Sequence, residues 1–142
     1  MIRRAHQIAL SIFSEEAGRL GVTTTQYGVL WMLSNRPGLD QVGLSRLMGF
    51  DRSTTGLVVG KLEADGLILR REDPDDRRKK TLVLSDAGRA LLDRLADPAK
   101  RSQDRLLSAF TDAEAKQFLH LLGKFIEAFN GSIRTPIAPE ET

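Results

Sequence analysis

The chain has 142 residues, with 21 Lys plus Arg against 19 Asp plus Glu and a formal net charge of +2. At 41% apolar and 28% charged residues it is too apolar for a disordered chain, and with no run near ~18 apolar residues it holds no membrane span. It contains no cysteine, which excludes disulfides, thiolate catalysis and cysteine-ligated metals.

The length fits one domain. Met1 to His6 lacks the long apolar run of a secretory signal, and a cytoplasmic location is expected. Ala5, Ile8, Ala9, Ile12, Phe13 and Leu20 recur at helical spacing over about 3–20, with Gly21 as the stop. Thr23-Thr24-Thr25-Gln26 is a capping box that opens a second helix through Tyr27, Leu30, Trp31 and Ser34, closed by Pro37-Gly38. Asp40 caps a short third helix with Leu44, Leu47 and Met48 inward, and Gly49 ends it. Asp51 caps a fourth helix that runs to about Asp65, with Gly66 beyond. Helix, glycine turn, helix is the helix-turn-helix pattern.

The period then changes. Leu67 to Arg71 and Thr81 to Leu84 read as strands, joined by the turn chemistry of Asp73-Pro74-Asp75-Asp76. Arg70 to Lys80 holds six basic and four acidic residues, so this hairpin is a basic wing or a solvated charged loop. Ser85 caps a long helix through Leu91, Leu92 and Leu95, which Pro98 is expected to kink or divide. Thr111-Asp112-Ala113-Glu114 caps a last helix. Residues 131–142 read as a frayed tail. The expected class is mainly α with a small β-hairpin wing: a winged helix-turn-helix lobe plus a helical dimerisation region.

The fourth helix carries the functional signal. Thr55, Val58, Val59 and Leu62 define a buried face. The opposite face holds Ser53, Gly56, Leu57, Gly60 and Lys61. A glycine costs a helix interior roughly 1 kcal/mol relative to alanine, so two on one face suggest close approach to its backbone. Arg52, Ser53 and Thr54 supply a guanidinium and hydroxyls of the kind that bond phosphates and base edges. Leu57 either meets a thymine methyl or packs on a neighbouring helix. Arg77, Arg78, Lys79 and Lys80 lie beyond the wing turn, where arginine suits a narrow minor groove. Asp76 would repel phosphate unless it pairs with an arginine and sets its direction.

In order and spacing, several motifs resemble the MarR family of winged-helix transcription regulators. They are Val22-Thr23, Gln26-Tyr27 and Leu30, then Gly43-Leu44-Ser45 with Gly49-Phe50-Asp51-Arg52-Ser53-Thr54. Leu62-Glu63, Gly66-Leu67-Ile68, Arg70, Asp73 to Arg78, and Leu84-Ser85-Asp86-Ala87-Gly88 follow. The resemblance implies an obligate homodimer, with helices in about 1–22 and 86–130 for dimerisation and a DNA-binding lobe in about 23–85. It implies that Arg52, Ser53 and Thr54 read the major groove while Asp76, Arg77 and Arg78 reach the minor groove. Gly56, Leu57 and Gly60 depart from the polar residues often found there.

Dimerisation has its own argument. Phe118, Leu119, Leu121, Leu122, Phe125, Ile126 and Phe129 form a face wider than one core-facing stripe, which points to cover by a partner chain rather than to a helix buried on several sides within one subunit. A two-fold dimer sets its reading helices about 34–36 Å apart, so an inverted-repeat operator is expected. Family members commonly bind small anionic aromatic compounds in a cleft between dimer helices and DNA lobe, which weakens DNA binding. Here Arg3 and His6 are candidates to hold a carboxylate, and Tyr27 and Trp31 to stack an aromatic body or serve as plain core. The expected function is a sequence-specific double-stranded DNA-binding regulator, a repressor released by a small aromatic acid or its coenzyme A thioester. The alternative is a winged-helix protein-interaction module without DNA binding. No phosphate loop, nucleophile elbow or metal spacing appears, and His6 and His120 are the sole histidines. No enzyme activity, cofactor or metal is expected. Glu15-Glu16 reads as solvated surface.

Overall fold

A computed structural model describes residues 1–130; the tail expected over 131–142 lies outside them. The elements are α1 (Ile2–Ala17), a 3-10 turn (Gly18–Leu20), α2 (Thr24–Asn35), α3 (Gln41–Met48) and α4 (Arg52–Ala64), then β1 (Ile68–Glu72), β2 (Lys80–Leu84), α5 (Asp86–Leu107) and α6 (Asp112–Asn130).

Local chemistry sets most of these boundaries. The Thr23 hydroxyl accepts from the Gln26 amide at 3.1 Å, and the Gln26 side chain accepts from the Thr23 amide at 2.9 Å. Asp40 and Asp51 each accept an amide proton three residues on, at 2.7 Å. Each cap occupies a donor that the first helical turn leaves open. Between α3 and α4 the chain reverses at Gly49, whose φ of 67° is the left-handed conformation a side chain disfavours. That reversal sets α4 across α3.

β1 and β2 pair antiparallel, with Ile68 opposite Leu84 and Glu72 opposite Lys80. A bridge from Asp40 to Thr81 and a 2.7 Å bond from the Leu82 amide to the Leu39 carbonyl tie β2 to the segment before α3. This third partner makes the wing's base continuous with the helix-turn-helix. One core of Val29, Leu30, Leu33, Leu44, Val59, Leu62, Ile68, Leu82 and Leu84 fills the space among α2, α3, α4 and the hairpin. Within α3, Leu44 is buried, while Leu47 and Met48 are half-buried. A second cluster of Phe13, Ala17, Val22 and Leu95 joins α1 to α5.

Ser85 is the joint between lobe and long helix. Its hydroxyl donates to the Gly66 carbonyl at 2.6 Å and accepts from the Gly88 amide at 3.0 Å. Its own amide donates to the Leu67 carbonyl at 3.0 Å. Gly88 is buried here, and a Cβ on it would fall on the Leu67 carbonyl oxygen.

Three expectations are corrected. Pro98 does not divide α5, which runs unbroken through it with the proline buried; packing there offsets the one backbone bond that proline removes. The first helix ends as α-helix at Ala17 and continues only as the 3-10 turn. Glu15 and Glu16 are not merely solvated. Arg105 donates to both at 2.8 Å, and Arg101 donates to Glu16 at 2.9 Å. Hydrogen bonds from Arg105 and then Arg101 hold the Glu16 carboxyl below its ordinary range.

Candidate nucleic-acid interface and ligand cleft

On α4, Thr55, Val59 and Leu62 are buried and Val58 is half-buried, which fixes the helix's rotation. The Thr55 hydroxyl back-bonds to the Asp51 carbonyl at 2.8 Å. Arg52, Ser53, Thr54, Leu57, Gly60 and Lys61 are consequently brought together on the exposed side. Leu57 is 75% exposed, so it does not pack on a neighbouring helix of its own chain. A Cβ on Gly60 would meet open space, whereas one on Gly56 would lie 3.6 Å from the Gln41 side-chain nitrogen. Packing within the chain therefore gives no reason for the Gly60 glycine. Lys61 pairs with Asp65 at 2.8 Å along the helix.

The wing tip is organised by its own aspartates. Asp73 accepts from the amides of Asp75 and Asp76 at 2.8 and 3.2 Å. Asp76 accepts from the Arg78 amide at 3.1 Å and from its guanidinium at 3.2 Å. The same Arg78 contact, side chain first, holds the Asp76 carboxyl below its ordinary value. Arg78 still has a side chain 91% exposed. Asp76 thus neutralises little of the surface it faces and fixes where the guanidinium leaves the backbone. Arg77 and Lys79 are also exposed, but Lys80 is not at the tip: it lies in β2 and pairs with Glu72 at 3.1 Å.

A cleft of about 570 Å³ opens among α1, α2 and α5, lined by Phe13, Tyr27, Trp31, Asn35, Leu92, Lys100 and Gln103, among others. The Phe13 and Tyr27 rings meet at a tilt of 40°, with centroids 5.5 Å apart. Tyr27 is a phenolic donor at neutral pH, and burial pushes its pKa up from the ordinary value. Trp31 is 46% exposed in this cleft and is not core. Arg3 and His6 do not line it; they are exposed on the first turns of α1. A helix rises about 1.5 Å per residue, so both sit well short of Phe13, the α1 residue at the cleft wall. Among the described residues no group of three His, Asp or Glu side chains is placed to hold a metal, and no helix is long and apolar enough to cross a membrane.

A helix-turn-helix with an arginine-tipped hairpin packed beside it defines a winged-helix protein. The MarR family model matches residues 22–80. The homoprotocatechuate degradative operon repressor of Escherichia coli is 30% identical over 128 residues, covering 89% of this chain and 86% of that protein. A putative transcriptional regulatory protein for the hcr operon of Thauera aromatica is 37% identical over 102 residues, 72% of this chain; the match spans 61% of that relative, less than two thirds of its length. The repressor CouR bound to a 23-mer DNA duplex superposes with a TM-score of 0.81 at 30% identity, covering 87% of this chain and 88% of that one. CouR from Rhodococcus jostii RHA1 bound to p-coumaroyl-CoA gives 0.76 at 26% identity, covering 87% of each. The chain belongs to the MarR family.

Proposed function

We propose that this protein is a homodimeric, sequence-specific double-stranded DNA-binding transcription regulator, a repressor released from its operator by a small aromatic acid or its coenzyme A thioester. Residues 23–85 form the DNA-binding lobe, and the helices in about 1–22 and 86–130 form the dimer. Arg52, Ser53 and Thr54, with Gly56, Leu57 and Lys61 behind them, enter the major groove. Arg77 and Arg78, steered by Asp76, enter the minor groove. The observation that carries this reading is the wing tip, where a carboxylate aims an exposed guanidinium outward from a hairpin seated on the helix-turn-helix. Support for the ligand comes from the aromatic cleft, whose volume suits a small organic molecule, and from relatives named for an aromatic-acid operon and a thioester complex. Arg3 and His6 reach such a ligand only if the partner's first helix lies over the cleft.

The test is a fluorescence titration of random duplex and of selected sites at low and moderate salt. Binding falls steeply with salt, because each neutralised phosphate releases counterions. Arg78→Ala weakens random and selected duplex together, whereas Ser53→Ala or Thr54→Ala changes the sequence recovered from a randomised pool. A parent chain indifferent to every duplex would return the protein-interaction alternative. Small aromatic acids and their thioesters, added to the complex, release the DNA; if none does, the cleft has another occupant.

A further inference from the structure

The reading helix is braced by a relay that connects three elements. Arg70 on β1 donates through Nε to Glu63 on α4 at 3.2 Å. Through Nη2 it donates to the Oε1 of Gln41, the first residue of α3 and 29 positions away in sequence, at 2.9 Å. A guanidinium carries only donors, so the Gln41 carboxamide must turn its oxygen to Arg70 and its NH2 away. Among the described residues that NH2 donates no hydrogen bond. It lies beside Gly56 on α4, 3.6 Å from where a Cβ would stand. A side chain longer than a methyl at position 56 would displace it. Gln41 also lines a groove between α3 and α4 that carries Arg46 and Arg52.

We propose that Glu63 and Arg70 are positioning residues that lock Gln41 as a donor-only contact to a DNA backbone phosphate beside the reading helix. This rests on the DNA-binding reading above. Glutamine recognises adenine by using its oxygen and nitrogen together; with the oxygen committed to Arg70, that pairing is closed. A phosphate oxygen needs only a donor. The first helix of a helix-turn-helix crosses the DNA backbone, which places the start of α3 against phosphates. The relay also limits position 56 to a small residue: a methyl there would only touch the carboxamide, and a longer side chain would meet it.

The experiment uses the full chain and a fluorescein-labelled random duplex of roughly 30 base pairs, long enough for two half-sites. Gln41→Ala, Arg70→Lys and the double variant are titrated, with thermal melts to check the fold. Lysine keeps the charge but lacks the fork that spans both partners. Each single change weakens binding roughly tenfold, the scale of one hydrogen bond to a charged group. The double variant binds no more weakly than Gln41→Ala, because Arg70 acts through Gln41. Random and selected duplexes lose affinity alike. If Gln41→Ala binds as the parent does, or if Arg70→Lys weakens Gln41→Ala as much as it weakens the parent, the relay is overturned and the DNA reading stands. A parent chain that binds no duplex overturns both.

Discussion

The DNA-binding lobe and the C-terminal helix solve the same problem in opposite ways. In the lobe, nine apolar side chains from α2, α3, α4 and both strands close into one core, seven of them buried to 1% exposure or less. In α6, Phe118, Leu119, Leu121, Leu122, Phe125, Ile126 and Phe129 are each between 42% and 55% exposed. Near its start α6 meets an aromatic ring outside its own helix, where Phe118 stacks on Phe110 with centroids 5.1 Å apart. Both regions have the composition of a core; among the described residues only one has its second wall. A wide apolar face of this kind marks an association surface, and in the proposed dimer a second copy of the chain would supply the matching face by symmetry.

Charging that face breaks the contrast most directly. Phe125→Glu places an unpaired carboxylate in the dimer interface twice over, and each costs about 3–5 kcal/mol if it stays buried. The expected result by sedimentation is a monomer at concentrations where the parent is dimeric, with helical signal from the lobe retained and duplex affinity lost. A variant that still sediments as the parent dimer would show that α6 does not hold the interface.

The joint between the two regions offers a second, smaller effect. Gly88 packs on the Leu67 backbone, and the added methyl of Gly88→Ala has a carbonyl oxygen in its place. Overpacking of this kind costs about 1–3 kcal/mol, and the atom in the way is backbone, which yields least. The melting temperature therefore falls while the dimer persists, the reverse of Phe125→Glu. A Gly88→Ala variant as stable as the parent would mean that α5 can slide on the lobe without loss.

Legibility from sequence follows the same division between local and long-range chemistry. The caps at Thr23, Asp40, Asp51 and Ser85 stood in the sequence because each bond spans three residues. The Thr111 and Glu114 pair did so as well. The pairing of Asp76 with an arginine was also readable, since Arg78 is two residues away. What failed were judgements that depend on distant partners. Pro98 was expected to kink or divide a helix that in fact runs through it undivided, with the proline buried. Glu15 and Glu16 were assigned to solvent because Arg101 and Arg105 lie some 85–90 residues on. Arg3 and His6 were grouped with Tyr27 and Trp31 on chemistry alone, and the folded chain sets them apart. The Gln41 relay left no sequence signal beyond a glutamate and an arginine at family positions.

The finest test of the lobe concerns the pH range over which its wing keeps its direction. The Asp76 carboxyl has its pKa lowered from an ordinary 3.8, chiefly by the side chain and then by the backbone amide of Arg78. A depressed carboxyl pKa means that the contact is complete above the ordinary value and is lost only as pH falls through the lower, folded one. From about pH 8 to about pH 5 the carboxyl stays ionised, so duplex affinity shows no titration from this group. An NMR titration of the Arg78 Nε–H and the Asp76 carboxyl should move together, with a midpoint below 3.8. Asp76→Asn abolishes that titration yet keeps an acceptor, and it lowers duplex affinity by only about two- to threefold, as an exposed pair implies. A midpoint at or above the ordinary value would mean that the pair is not held in solution. The wing would then reach DNA as a flexible cation, and the division between a prearranged reading lobe and a helix awaiting its partner would lose its sharper half.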